Sequence, residues 1–118
     1  MYDIRADLKN NLLLMKLEDY MSDQELHVAA DHCISEAKKL QKGYTIINDI
    51  SKMKPVSPAG EKEILRVQSF VIHHGVGRII RVVKDSKTTR QFQSTQNQAG
   101  YTAILASSIE EAYEIMNL

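Results

Sequence analysis

The chain has 118 residues, with fifteen basic side chains balancing fifteen acidic ones and a single cysteine. That length suits one domain, and a balanced charge draws the protein neither to nucleic acid nor to anionic lipid. One thiol leaves no intrachain disulfide and no thiolate cluster for zinc, and the longest strictly apolar run, Leu12 to Met15, falls far short of the ~20 residues a transmembrane helix needs.

Tyr2 to Leu8 alternates apolar and polar residues as a half-buried strand does, and Lys9-Asn10-Asn11 reads as a tight turn because asparagine tolerates positive φ. Leu12 to Leu17 is then the returning strand of a hairpin. Ser22-Asp23-Gln24-Glu25 has capping-box spacing. Behind it Leu26, Ala29, Ala30, Cys33, Ile34, Ala37 and Leu40 share one helical face, which Gly43 is expected to close. Tyr44 to Ile50 is a short β-rich run.

Ser57-Pro58 places a capping hydroxyl before a proline suited to the first helical turn, and Ile64, Leu65, Val67, Val71 and Ile72 continue as a stripe ended by Gly75. Arg78 to Val83 is the next strand. Ser86 is expected to cap a helix running to Ala99 and closed by Gly100, and Thr102 to Ala106 forms a last strand. Ser108-Ile109-Glu110-Glu111 is a second capping box, opening the terminal helix. The expected fold is therefore α/β: a mixed five-stranded sheet, antiparallel at its N-terminal hairpin and parallel in the β-α repeats that follow, with four helices in a single domain over residues 1–118. Such a topology collects the β-to-α loops at the carboxyl edge of the sheet, where ligands bind many α/β proteins. Asn48, Asp49, Ser51, Ser57 and Ser86 are the polar residues expected there, as a site for a partner or ligand.

The chemistry-bearing residues form no reactive set. Gly75-Val76-Gly77 follows a helix and enters a strand, the reverse of a dinucleotide-binding turn. His73 and His74 are adjacent on a helix and point ~100° apart, so they do not chelate one ion. His27 and Asp31 are better spaced but lack a third ligand, which predicts a surface ion pair. Cys33 lies inside an apolar stripe and reads as a buried, inert thiol. Gln68 falls at the centre of the second helix's apolar face and must find a hydrogen bond, expected from a loop or strand end. Arg78, Arg81, Lys84, Lys87 and Arg90 make a local basic bias. Without interleaved aromatics they read as scattered solvated charges, with anion recruitment near Ser86 as the alternative. The third helix has one large apolar anchor, Phe92, supported by Thr88, Thr95 and Ala99 among glutamine, asparagine, serine and threonine. These observations predict neither an enzyme nor a cofactor or metal site.

The hairpin together with "GYTIINDIS", "HHGVGRIIRVV" and "SSIEEAYEIM" resembles the SpoIIAA-like, or STAS-like, proteins, relatives of the anti-sigma-factor antagonists. Asp49-Ile50-Ser51 matches an Asp-Leu-Ser-like step of that family. The antagonists then carry Asp-Ser-Ser-Gly, whose serine accepts phosphate and toggles binding to a kinase partner; this chain has Ser57-Pro58-Ala59-Gly60, with a proline in the acceptor place. The lone thiol suits a reduced, cytoplasmic protein, and the resemblance implies a non-enzymatic interaction module without its usual phosphoswitch, whose partner is another protein. A carrier or sensor for a small anionic or amphiphilic, lipid-like ligand is the alternative. A homodimer, through an exposed first strand or the Gln68 helix, is compatible with both.

Overall fold

The computed structural model describes residues 1–117. Strands β1 (Tyr2–Asp7) and β2 (Leu12–Asp19) form the expected hairpin. Helix α1 (Asp23–Ala37), β3 (Thr45–Met53), α2 (Pro58–His74), β4 (Arg78–Val82), α3 (Ser86–Ala99), β5 (Ile104–Ala106) and α4 (Ile109–Met116) follow. The sheet order is β1-β2-β3-β4-β5; β1 pairs antiparallel with β2, and every later neighbour pairs in parallel.

Because the order never reverses, the crossover helices α1, α2 and α3 lie side by side on one face. Alternation along β3 sorts the two faces: Ile46 and Ile50 join the large core with Leu13, Cys33, Tyr44, Val71 and Phe92, whereas Ile47 joins Leu12, Ile80, Val82 and Ala112 beneath α4. The helices begin where the sequence supplies caps. Ser22, Ser57 and Ser108 accept hydrogen bonds from the amides of Glu25, Gly60 and Glu111. Gly75 ends α2 at φ 111°, a left-handed turn that glycine enters without steric cost.

Four details differ from the sequence reading. Helix α1 stops at Ala37 rather than continuing to Gly43. The hairpin residue Asn11 binds the Gln41 backbone in both directions, its Oδ1 accepting at 2.9 Å and its Nδ2 donating at 3.1 Å, so the chain peels off the helix there. Asp85, not Ser86, caps α3, accepting from the Thr88 amide at 2.8 Å. Strand β3 runs on to Met53 because β2 keeps pairing with it past an irregularity between Lys16 and Glu18. Strand β5 is confined to the three residues that face Ile80–Val82.

Candidate functional site

The carboxyl ends of the parallel strands form a rim with the starts of the following helices, and this rim is knit together by its own side chains. Ser57 Oγ, besides capping α2, donates to Asp23 in the first turn of α1. The Gln91 side chain clamps Val56, accepting from its amide and donating to its carbonyl, each at 2.9 Å. Thr88 Oγ1 donates to the Met53 carbonyl at 3.1 Å. Met21, Met53, Val56 and Thr88 are buried under these contacts. The physical reason is topological: a ligand crevice opens where neighbouring crossovers leave a sheet on opposite faces. Here all three crossovers pack on one face and leave no such gap.

The five residues expected to share a site are therefore dispersed. Asn48 is buried in the core beneath the three helices. Asp49 faces the α4 side, where its Oδ1 accepts from both the amide and the hydroxyl of Ser51, at 3.0 and 2.6 Å. Ser57 is fixed as a cap and Ser86 is exposed in the first turn of α3. Accessible at the rim, apart from the exposed start of α3, is a patch around the α2 start that comprises Lys52, Lys54, Pro58 and Ala59. Tyr20, 59% exposed, adjoins it because the Lys54 amide bonds the Asp19 carbonyl at 3.0 Å.

The other singled-out groups have structural partners. His27 bridges Glu63 (2.7 Å) and Asp31 (3.6 Å), and Arg66 bonds the same two carboxylates, tying α1 to α2. Among the described residues no three metal-ligating side chains converge. His73 bonds the Ser69 carbonyl, and His74 lies between the Tyr44 hydroxyl and the Phe70 ring. Burial pushes the Cys33 thiol up to about 12, leaving it protonated and inert. Gln68 donates to a helical carbonyl, that of Phe92, at 3.3 Å, and so joins α2 to α3 rather than to a loop or strand end.

The basic bias resolves differently from the expectation of solvated charges. Arg78 donates to the carbonyls of Ile115 and Met116, satisfying the C-terminal end of α4. Arg81 is only 2% exposed. Its Nε donates to Asn48 Oδ1 and its Nη2 to Gln96 Oε1, each at 3.0 Å, and its guanidinium lies 5.1 Å from the Phe92 ring centroid. Burial lowers its pKa to about 10, so the group stays charged at neutral pH. The signal for this was present in the sequence: a period of two puts Arg81 on the same strand face as Ile79, toward the core.

Comparison with solved structures decides the fold. The whole chain superposes on 96% of a proposed anti-sigma factor antagonist from Thermotoga maritima, with TM-score 0.70 and 15% identity. The fold is SpoIIAA-like. An uncharacterised DUF3478-family protein from Shewanella loihica, described as having a SpoIIAA-like fold, matches 98% of the chain over 91% of its own, at TM-score 0.68 and 10% identity. An anti-sigma factor antagonist from Mycobacterium paratuberculosis matches the full chain over 94% of its own, at TM-score 0.62 and 10% identity. No family model matches this sequence and no curated protein is significantly similar to it. The chain thus shares the SpoIIAA-like fold with these structures at 10–15% sequence identity.

Proposed function

We propose that this chain is a non-enzymatic regulatory module that binds a partner protein across the patch formed by Tyr20, the β3–α2 loop and the start of α2. The fold it shares with anti-sigma factor antagonists supports the reading, and the observation that carries it is Tyr20. An exposed aromatic beside Lys54 and the α2 start is the kind of anchor that dominates protein–protein interfaces.

The module works without a phosphoswitch on α2. Pro58 has no hydroxyl, and the Ser57 oxygen is already engaged by the Gly60 amide and by Asp23. A phosphate on Ser57 would be driven against the Asp23 carboxylate, a like-charge contact that opposes modification. Affinity capture with the intact protein tests the interface: the wild type retains a stoichiometric partner, and both Tyr20→Ala and Lys54→Glu release it while keeping the native circular dichroism spectrum. Capture unaffected by both substitutions contradicts the proposed surface. Intact-mass measurement after incubation with extract and ATP tests the switch, and a phosphoryl adduct on Ser57 contradicts its loss.

A further inference from the structure

Among the described residues, Arg81 is a buried cation without a counter-ion. None of the ion pairs formed within 4.0 Å among the described residues includes it. Its two protein partners are neutral amide oxygens, which satisfy hydrogen bonds but carry no charge. Buried charges in proteins are ordinarily paired or bound to a ligand of opposite sign. Its Nη1 has no partner among the described residues, and neither have Asn48 Nδ2 and Gln96 Nε2 on the two amides that flank it. One connected network therefore ends in three buried N–H groups that lack an acceptor.

Two spaces adjoin this network. The inner one, a cavity of about 50 Å³ beneath α1 and α2, is lined mainly by Ile4, Leu26, Cys33, Ile46 and Val67, with Asn48 and Gln68 as its neutral polar groups and Arg81 bordering it from the sheet. Asn48 Nδ2 and Gln68 Oε1 offer it one donor and one acceptor, the complement of an enclosed water. Its acidic lining residue, Glu63, is already committed to His27 and Arg66. The outer space, about 250 Å³, lies between α3 and the β4–β5 edge and is bounded by Arg81, Gln93, Gln96, Asn97, Tyr101 and Thr102, with Ala103 and Leu105. Gln93, Asn97 and Thr102 are exposed, so this cleft opens to solvent, and no acidic side chain lines it.

We propose that the cleft between α3 and the β4–β5 edge is a binding site for a small organic monocarboxylate, whose oxygens accept from Arg81 Nη1 and Gln96 Nε2 once the side chains that cover these two buried atoms move aside. One guanidinium neutralises one carboxylate, whereas a phosphate dianion would bring a charge that nothing else in the cleft offsets. The volume admits a molecule smaller than a typical drug-sized ligand. The site does not use the β3–α2 loop or Tyr20, so it stands or falls separately from the partner-protein reading. Bound carboxylate would bridge β4 to α3 and tighten the most weakly anchored helix, giving the module a way to sense a metabolite.

Titration of the full chain with sodium propionate, followed by two-dimensional NMR and thermal melting, tests this against propionamide, sodium phosphate and sodium chloride at matched ionic strength. Propionate is expected to raise the melting temperature in a saturable way and to shift the Gln96 side-chain amide and Arg81 Nε resonances, with little response to the other three. Gln96→Glu supplies an internal counter-ion in place of the ligand. This variant is expected to melt higher than wild type without propionate and to bind propionate at least about tenfold more weakly. Arg81→Met removes the anchor, and a folded Arg81→Met protein is expected to give no propionate response. An equal response to propionamide or chloride, a stronger one to phosphate, or a Gln96→Glu variant that melts lower or still binds propionate normally overturns the proposal.

Discussion

Gly77 shows how a single atom fixes the seam between two elements. A Cβ built on it would stand 2.5 Å from the Gly43 carbonyl oxygen, which belongs to backbone and has no rotamer to yield. The same seam is held by the Gly77 amide donating to the Tyr44 carbonyl and the Gly43 amide to the Gly75 carbonyl, each at 2.8 Å. Gly77→Ala is therefore expected to cost about 1–3 kcal/mol, the usual penalty of forced overpacking, read as a lower urea midpoint with an unchanged slope. Cys33 offers a second check at this scale. A fully buried, protonated thiol is expected to resist a thiol-specific chromogenic reagent in native buffer and to react at once in denaturant. Fast labelling of the native protein would show that α1 opens. Both features were readable as residue types in the sequence, Gly77 as a glycine entering a strand and Cys33 as part of an apolar stripe. The partner that makes Gly77 indispensable was not, because it lies more than thirty residues away.

Helix α3 is held differently from its neighbours. Phe92 is its one large buried apolar side chain, and the rest of its inner face is Thr88, Thr95 and Gln96. Its attachment is largely polar: Thr88 to Met53, Gln91 to Val56, Gln96 to Arg81, and the Phe92 carbonyl accepting from Gln68. Little apolar burial means that the helix detaches at lower free energy than the rest of the core. Hydrogen exchange is expected to report this, with the amides of residues 90–99 exchanging well before those of residues 64–72 in α2. Comparable protection of the two helices would refute it. Phe92→Ala should then cost about 3–5 kcal/mol, with the far-ultraviolet signal losing helix before the Tyr44 environment changes. The polar composition of this segment announced weak anchoring in the sequence. Gln96 was not singled out there, since in a run of glutamines nothing local says which one turns inward.

For the whole molecule, stability in acid follows from carboxylates that the fold holds below their ordinary range. The side-chain hydrogen bond from Lys39 and the Ala6 amide lower Glu36, which thereby pins α1 to β1. Burial works to raise Glu63, and the hydrogen bonds from His27 and Arg66 outweigh it. Hydrogen bonds from Thr88 and Asn10 lower Asp85 and Asp7. A carboxylate whose folded pKa is depressed contributes stability that is complete above its unfolded value, near pH ~4 for Asp and Glu. That contribution is lost as the pH falls through the lower folded value. The urea midpoint is accordingly expected to stay level for these groups from neutral pH down to about pH 5 and to fall steeply below it. Glu36→Gln should flatten part of that fall, and a midpoint indifferent to acid would contradict the assigned pairings.

Local chemistry determined a good deal of this protein. Periods of two and 3.6, three serine caps and the glycine after His74 defined nine elements and the α/β class, because each signal acts within a few residues of chain. The family resemblance carried by the hairpin and the "GYTIINDIS" strand pointed to the fold that the solved structures then matched. Tertiary structure decided where the polar residues ended up. Asn48 and Asp49 are neighbours in the chain yet fall on opposite faces of β3, Ser57 is spent on a cap and on Asp23, and Arg81 is drawn under α3. Closure of the rim and the unpaired charge beneath α3 depend on which helices share a face and how far each lies from the sheet. Those distances arise from long-range packing, which no short stretch of sequence encodes.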